Sequence, residues 1–332
     1  MSLASHQHGK SRVRVGRTFR PDGSPNGTST TGAQRSTHAA RAPMRTHVHS
    51  SSRAPSSGVH KFAEYSVDTV LLSAMEHAFV QGSNEGMTAT DTQKNTVYYI
   101  AKTCLTYERH SPEDFAIALA KHFVAEYPLV SQAEVTVKRM PWGRYTNEHQ
   151  QPHNHGFVES GTQVRFCRAV VGRGGEVMSL TSGVDGLKVL KTTQSGYEGF
   201  LHDKYTLLPD TRERILATSM SGSWTYVGEL DLAATDFDAL YDAVVRACTE
   251  TFFGDAKAGV YSPSVQYTLH EMGQAVLRQV AQVERVKFSL PNIHFLPCAV
   301  VNTAGFEDDV YVATSEPHGT IVAEVARGRS KL

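Results

Sequence analysis

Three short stretches carry side chains able to do chemistry. In "RERIL", residues 212 to 216, the Arg214 guanidinium offers a planar fork of donors that can grip one edge of a flat anion through two parallel charge-assisted bonds. In "SVQ", Gln266 presents both a donor and an acceptor. The run "TATDTQKNT", Thr88 to Thr96, holds hydroxyls, a carboxylate and an ammonium with no large apolar residue. Each has an ordinary reading too: Arg214 a cation on a surface helix, Gln266 a polar residue on a strand, and the run a turn before the strand-like "VYYIA". Elsewhere, "HNH" sets His153 and His155 two apart, but no nearby Cys or carboxylate completes a metal set, and no metal is expected. "GRGG", residues 172 to 175, lacks the Lys-Ser/Thr of a phosphate loop and reads as a hairpin turn. The closing Ser330-Lys331-Leu332 has the form of a receptor-read peroxisomal address.

What must position these residues is a sizeable globular chain. Its 332 residues are 40% apolar, enough for one large or two ordinary domains. Lys plus Arg equal Asp plus Glu at 33 each, so no basic field recruits nucleic acid. No apolar run approaches the roughly 20 residues of a membrane helix, and the N-terminus lacks a secretory apolar core, so an intracellular chain without membrane contact is expected. Cys104, Cys167, Cys248 and Cys298 show no CxxC spacing and are expected to be buried, reduced thiols.

Residues 21–58 are almost wholly Ser, Thr, Gly, Pro, Ala, His and Arg, and are expected to form a disordered insertion between two strands. "SRVRVGRTF" alternates before it, and "HKFAEYSVDTVLLSAMEHAFV" resumes the alternation after it. Ser111 then caps a helix with Pro112 at its first position, acidic Glu113 and Asp114 next, and Phe115, Leu119 and Phe123 on one face. "AEVTVKRMPW" and "TQVRFCRAVV" alternate as strands. The second half repeats this order: strands at "GLKVLKTT" and "SWTYVGEL", a helix capped by Asp236, a non-helical "SPSVQYTLH", a helix from Glu271 to about Gln282, then strands at "ERVKFSL", "DDVYVAT" and "GTIVAEVA". Antiparallel strands broken by helices predict an α+β chain of two similar halves.

The stretches "LKVLKTTQSGYEGFLHDKYTLLPDTRERIL" (187–216), "SVQYTLHEM" (264–272) and "SLPNIHF" (289–295), with "ATDTQKNTVY" and the early "GKSRVRV", closely resemble the urate oxidase family in the same order. The long signature is specific; the others gain weight from their order. The resemblance covers nearly the whole chain except residues 21–58. It implies two tandem tunnelling-fold (T-fold) repeats, antiparallel sheets with helices on one face, assembling into a homotetramer around a tunnel with active sites between subunits. The implied domains are 1–20 as first strand of repeat one, 21–58 as the insertion, 59–158 completing that repeat, 159–325 as repeat two, and 326–332 as a targeting tail.

By the same resemblance, the activity is cofactor-independent oxidation of urate by dioxygen and water to 5-hydroxyisourate and hydrogen peroxide. Lys10, Thr90 and His294 would relay the proton, and a Lys can serve as base only where burial or a neighbour lowers its pKa. Arg214, Gln266 and Val265 would clamp urate beside Thr90, Asp91 and Leu208. Tyr197 stands where the family usually carries Phe as stacking ring. Asn292, two residues before His294 on one face of an extended segment, would hold dioxygen or water. Partners would be urate, dioxygen, three further copies of the chain and the peroxisomal import receptor, in a peroxisome or related microbody. An inactive purine-binding scaffold and a pterin-handling enzyme on the same fold are the alternatives.

Overall fold

The computed structural model describes residues 3, 5–21, 58–228, 230–298 and 310–328. The expected insertion, apart from Pro21 and Gly58, and the Ser330-Lys331-Leu332 ending lie outside the described residues.

The first half contains β1 (His8–Phe19), β2 (Lys61–Ser73), α1 (Glu76–Val80), α2 (Thr90–Thr103), α3 (Pro112–Glu126), β3 (Val130–Arg139), β4 (Trp142–Thr146), β5 (Pro152–Glu159) and β6 (Val164–Gly172). The second contains β7 (Val177–Lys191), β8 (Leu216–Tyr226), α4 (Phe237–Phe253), α5 (Val265–Gln279), β9 (Val283–Pro297), β10 (Tyr311–Thr314) and β11 (Thr320–Ala326). One antiparallel sheet runs β1-β2-β3-β6-β7-β8-β9, and β10 and β11 share the free side of β9. The β4–β5 hairpin stands apart from it. "GRGG" makes the turn between β6 and β7, with Gly175 at φ +80° donating its N–H to Gly172 O at 2.8 Å.

Alternation decides which face of each strand is buried. In β2, Ala63, Tyr65, Val67, Thr69 and Leu71 all point inward, and with Phe115, Leu119 and Phe123 of α3 they fill a first core. A second core joins Trp224, Val244, Leu269, Met272 and Phe288 beneath β7, β8 and β9. Helix α3 starts as the sequence predicts: Ser111 Oγ accepts from Asp114 N at 3.0 Å while Asp114 Oδ2 accepts from Ser111 N at 3.3 Å. Asp236 likewise caps α4, accepting from the N–H groups of Asp238 and Ala239.

A buried polar knot joins the cores. Arg165 of β6, 7% exposed, donates to Glu113 Oε2 of α3 at 2.6 Å and pairs with Asp238 of α4. Ser182 Oγ donates to the other Glu113 oxygen, and Tyr226 OH donates to Ser182 Oγ at 2.6 Å. Removing one member of such a pair leaves an uncompensated buried charge, a loss of about 3–5 kcal/mol.

Five expectations change. The alternation expected through "SAMEHAFV" ends with β2 at Ser73, and Glu76–Val80 form the short helix α1. "VYYIA" is not a strand: α2 runs unbroken from Thr90 to Thr103, burying Gln93, Thr96, Val97, Ile100 and Ala101 while Tyr98 and Tyr99 face out. Its β-branched and aromatic residues lower intrinsic helix propensity by only about 0.5 kcal/mol each, whereas burying Val97 and Ile100 returns ~1.5–3 kcal/mol apiece. "SVQYTLH" is also helical: Ser264 Oγ accepts from Tyr267 N at 3.1 Å, and α5 begins at Val265 and ends at Gln279. The apparent alternation of Val265, Tyr267 and Leu269 misleads, since Tyr267 is exposed while Thr268 and Leu269 are buried side by side. The strand read into "AEVTVKRMPW" stops at Arg139, and the β4–β5 hairpin after it had no anticipated counterpart. Finally, Cys104 is exposed at the end of α2 and Cys298 half-buried; only Cys167 and Cys248 lie in the cores.

Candidate active site

The site residues gather at two edges of the sheet. At the first, β1 carries a bulge between Lys10 and Val13, where Arg12 takes φ +57° and its N–H donates to Asp68 Oδ1 at 2.7 Å. The Lys10 N–H donates to Thr69 Oγ1 at 3.2 Å, and Thr69 Oγ1 donates to Gln93 Oε1 at 2.7 Å. Gln93 is wholly buried and lies one turn after Thr90 on the same face of α2, so this chain of bonds ties the strand bearing Lys10 to the helix bearing Thr90. A ring nitrogen of His8 is 2.9 Å from Thr88 O, a second tie between the same elements. Gly9 is obligatory here, because a Cβ would fall 2.0 Å from Thr69 O.

Asp91 sits exposed in the first turn of α2, bonded by Lys94 at 2.5 Å and by Asn95 at 2.9 Å. Its carboxyl is held below the usual range first by the Lys94 bond and charge, then by Asn95, with the Lys10 ammonium contributing least. The strand that bears Lys10 packs against α2. Sequence reasoning missed Thr69 and Gln93; their only signals were a hydroxyl on the inward face of β2 and an amide three positions after Thr90.

At the other edge, the connection from β7 to β8 folds onto the start of α5. Ser195 bridges to Ser262, and Tyr197 to Thr211. The Arg214 N–H donates to Ser195 O at 2.9 Å, which sets this residue in the loop just before β8 and not on a helix. Its guanidinium lies 5.3 Å from the Tyr197 ring centroid, and its Nε is buried without a partner. Burial pushes the Arg214 pKa down, opposed by Tyr197 and Tyr261. Tyr197 stacks on Phe200 at 4.7 Å and 10°, and Phe200 on His202. Leu208 is 53% exposed in the same connection.

Val265 and Gln266 occupy the first turn of α5, Val265 buried and Gln266 exposed. Helix starts leave backbone N–H groups unpaired; Ser264 satisfies that of Tyr267, and those of Val265 and Gln266 lack intrahelical acceptors. Such a terminus favours an anion. On β9, Asn292 pairs with Thr218 of β8, donates its N–H to Gly319 O at 3.3 Å, and keeps its Oδ1 buried without a partner. His294, two residues on along the same face, pairs with Thr314 of β10. The unpaired Arg214 Nε and Asn292 Oδ1, both at this edge, suit a polar planar ligand missing its last bonds.

The structure thus brings Lys10, Thr90 and Asp91 together, and separately Tyr197, Leu208, Arg214, Val265, Gln266, Asn292 and His294. It does not unite the two groups within one chain. Four strand steps separate β1 from β7, whose connection to β8 carries Tyr197 and Arg214, and six separate it from β9, roughly 19 and 29 Å measured along the sheet. His153 and His155 stack edge to face at 4.7 Å on β5, and no group of three or more metal-ligating side chains occurs among the described residues.

A family model described as "Uricase" matches residues 6–170 and 180–322. The chain is 45% identical over 283 residues to "Uricase-2 isozyme 1" of Glycine max, covering 83% of this chain and 90% of that one. It is 41% identical over 335 residues to "Uricase" of Arabidopsis thaliana, covering 98% and 96%. The crystal structure of uricase from Arthrobacter globiformis superposes with a TM-score of 0.77 at 29% identity, covering 100% of this chain and 97% of that one.

Proposed function

Because the chain belongs to the uricase family, we propose that it oxidises urate with dioxygen, and that its two separated edges are the two halves of that active site. The observation that carries this reading is the family match across both halves of the chain, including every residue at the two edges. Incubating the purified protein with urate tests it: urate absorbance should fall as hydrogen peroxide accumulates. A folded protein that leaves urate untouched would overturn it.

The residues support a division of labour. Arg214 and Gln266 hold opposite edges of the flat anion, the open N–H groups at the start of α5 add two donors, and Tyr197 stacks on its face. Lys10 and Thr90 take the second proton from bound urate, because only a very electron-rich dianion passes an electron readily to triplet dioxygen; His294 extends the relay. Asn292 holds dioxygen and then water over the ring. Urate, dioxygen and water become 5-hydroxyisourate and hydrogen peroxide, so two electrons leave the purine and both reside in the peroxide. This route needs no cofactor, and turnover should survive exhaustive dialysis against a chelator.

Completion of the site requires the β1 edge of one copy to meet the β9 edge of another. The distance between the two groups along the sheet supports this, as does the need to cover the open edges of β1 and of β10 and β11, which lie outside β9. The expected assembly is a homotetramer of the tandem-repeat T-fold, measurable by light scattering. The terminal Ser330-Lys331-Leu332 supports import into a peroxisome, where peroxide can be consumed. A fluorescent protein fused to the N-terminus, leaving Ser330-Lys331-Leu332 as the free end, should collect in peroxisomes, and the same fusion without the last three residues should not.

A further inference from the structure

Lys191, the last residue of β7, lies outside the roles assigned above, yet the clamp is built around it. Its Nζ donates to Val260 O at 2.7 Å, to Ser262 Oγ at 2.7 Å and to Phe252 O at 3.4 Å. Its ammonium also lies 5.4 Å from the Phe252 ring centroid. None of the ion pairs among the described residues includes Lys191.

Ser262 is the point where the clamp's segments converge. Its N–H donates to Gln194 O at 2.9 Å, and its carbonyl accepts from Gly196 N at 2.9 Å. These bonds fix the strip 194–197 that presents Tyr197 and, through Ser195 O, Arg214. Its side chain also accepts from Thr268 Oγ1 at 2.8 Å, which ties it into α5, whose first turn carries Val265 and Gln266. Ser262 is 2% exposed and Ser195 fully buried, so neither can exchange these partners for water.

We propose that Lys191 is a positioning residue for substrate binding: by fastening Val260 and Ser262 to the end of β7, it holds Tyr197, Arg214 and the start of α5 at one spacing. The inference rests on the proposed urate clamp. A half-buried ammonium with three oxygens and no carboxylate is a costly fastener, and burial pushes its pKa down to about 8. Its positive charge has no neutralising partner, which leaves the clamp favourable to an anionic ligand. The Lys191 bonds all go to Phe252, Val260 and Ser262, away from the β1 edge, so its removal should loosen binding while leaving proton transfer intact.

The experiment measures urate KM, kcat and anaerobic urate Kd for the wild-type full chain, Lys191→Met and Ser262→Ala. Lys191→Met is expected to raise KM and Kd about 10-fold, with kcat at saturation within about twofold. Ser262→Ala, which removes only the hydroxyl that receives Lys191 and Thr268, is expected to shift KM and Kd the same way by a smaller factor, and it decides the matter if Lys191→Met does not fold. A folded variant with unchanged Kd, or with reduced kcat at unchanged KM, would overturn the inference. A wild-type protein that binds urate anaerobically without turning it over would instead sink the proposed function while the Kd comparison still tests Lys191.

Discussion

The two edges that share the candidate site are built on opposite electrostatic plans. At the β1 edge the charges are exposed and paired: Asp91 and Lys94 bond each other at the surface, and what lies beneath is a neutral chain from the Lys10 backbone through Thr69 to Gln93. At the β9 edge the cations are half-buried and lack carboxylates. Arg214 has a buried unpaired Nε, and Lys191 is held by carbonyls and a hydroxyl. An edge of the second kind is prepared for an anion that supplies the missing charge, whereas the first is prepared to hold a strand bulge and a helix start in fixed relation. Binding and proton transfer should therefore fail separately.

The largest break is expected at the clamp. Arg214→Ala should lower kcat/KM for urate by about 1,000-fold, mostly through KM, because it removes two charge-assisted bonds. Steady-state kinetics checks this, and a change confined to kcat would reverse the assignment of the two edges. Thr90→Ala should instead lower kcat by about 100-fold or more with anaerobic urate binding less affected; unchanged turnover would remove Thr90 from the relay.

Acid should distinguish the edges through stability. His110, 3% exposed, lies 4.7 Å from the Phe19 ring of β1, and burial followed by the Arg139 charge pushes its pKa down to about 4. The unfolded chain takes up this proton near pH 6.5 and the folded chain only near 4, so stability is full above about 6.5 and falls by ~2–3 kcal/mol toward pH 4. The urea midpoint should drop across that window, and less steeply in His110→Phe. No comparable titration is expected of Arg214, so acid should loosen the β1 edge first.

The smallest signal asks whether the edges belong to different chains. Arg214→Ala and Thr90→Ala chains, each nearly inactive, should on refolding together recover about a quarter of wild-type activity, since random mixing unites two intact halves in about one site in four. A mixture as inactive as its parents would show that each chain completes its own site.

Local chemistry was well written in the sequence. The capping box at Ser111 and Asp114, the Asp236 cap, the alternation of β2 and β3 and the turn at "GRGG" all depend on neighbours a few residues apart. Residues matching a family motif could be named one by one for the same reason. Where the sequence misled, two periodicities competed. "VYYIA" and "SVQYTLH" look extended by residue type, and only packing of α2 against β1, and of α5 against β9 and β11, made them helical.

By itself, then, the sequence determined the two-half α+β pattern, the caps, and the identity of the groups able to grip an anion or pass a proton. Tertiary structure alone decided the rest: that Thr69 and Gln93 link the strand of Lys10 to the helix of Thr90, that Lys191 and Ser262 organise the clamp, and that the two groups lie four to six strand steps apart. The physical reason is range. Caps and turns close over a few residues, whereas the Lys10 to Thr69 bond spans 59 positions and the Lys191 to Ser262 bond 71. Which strands become edges is set by the order of pairing across the whole sheet, and no local pattern encodes it.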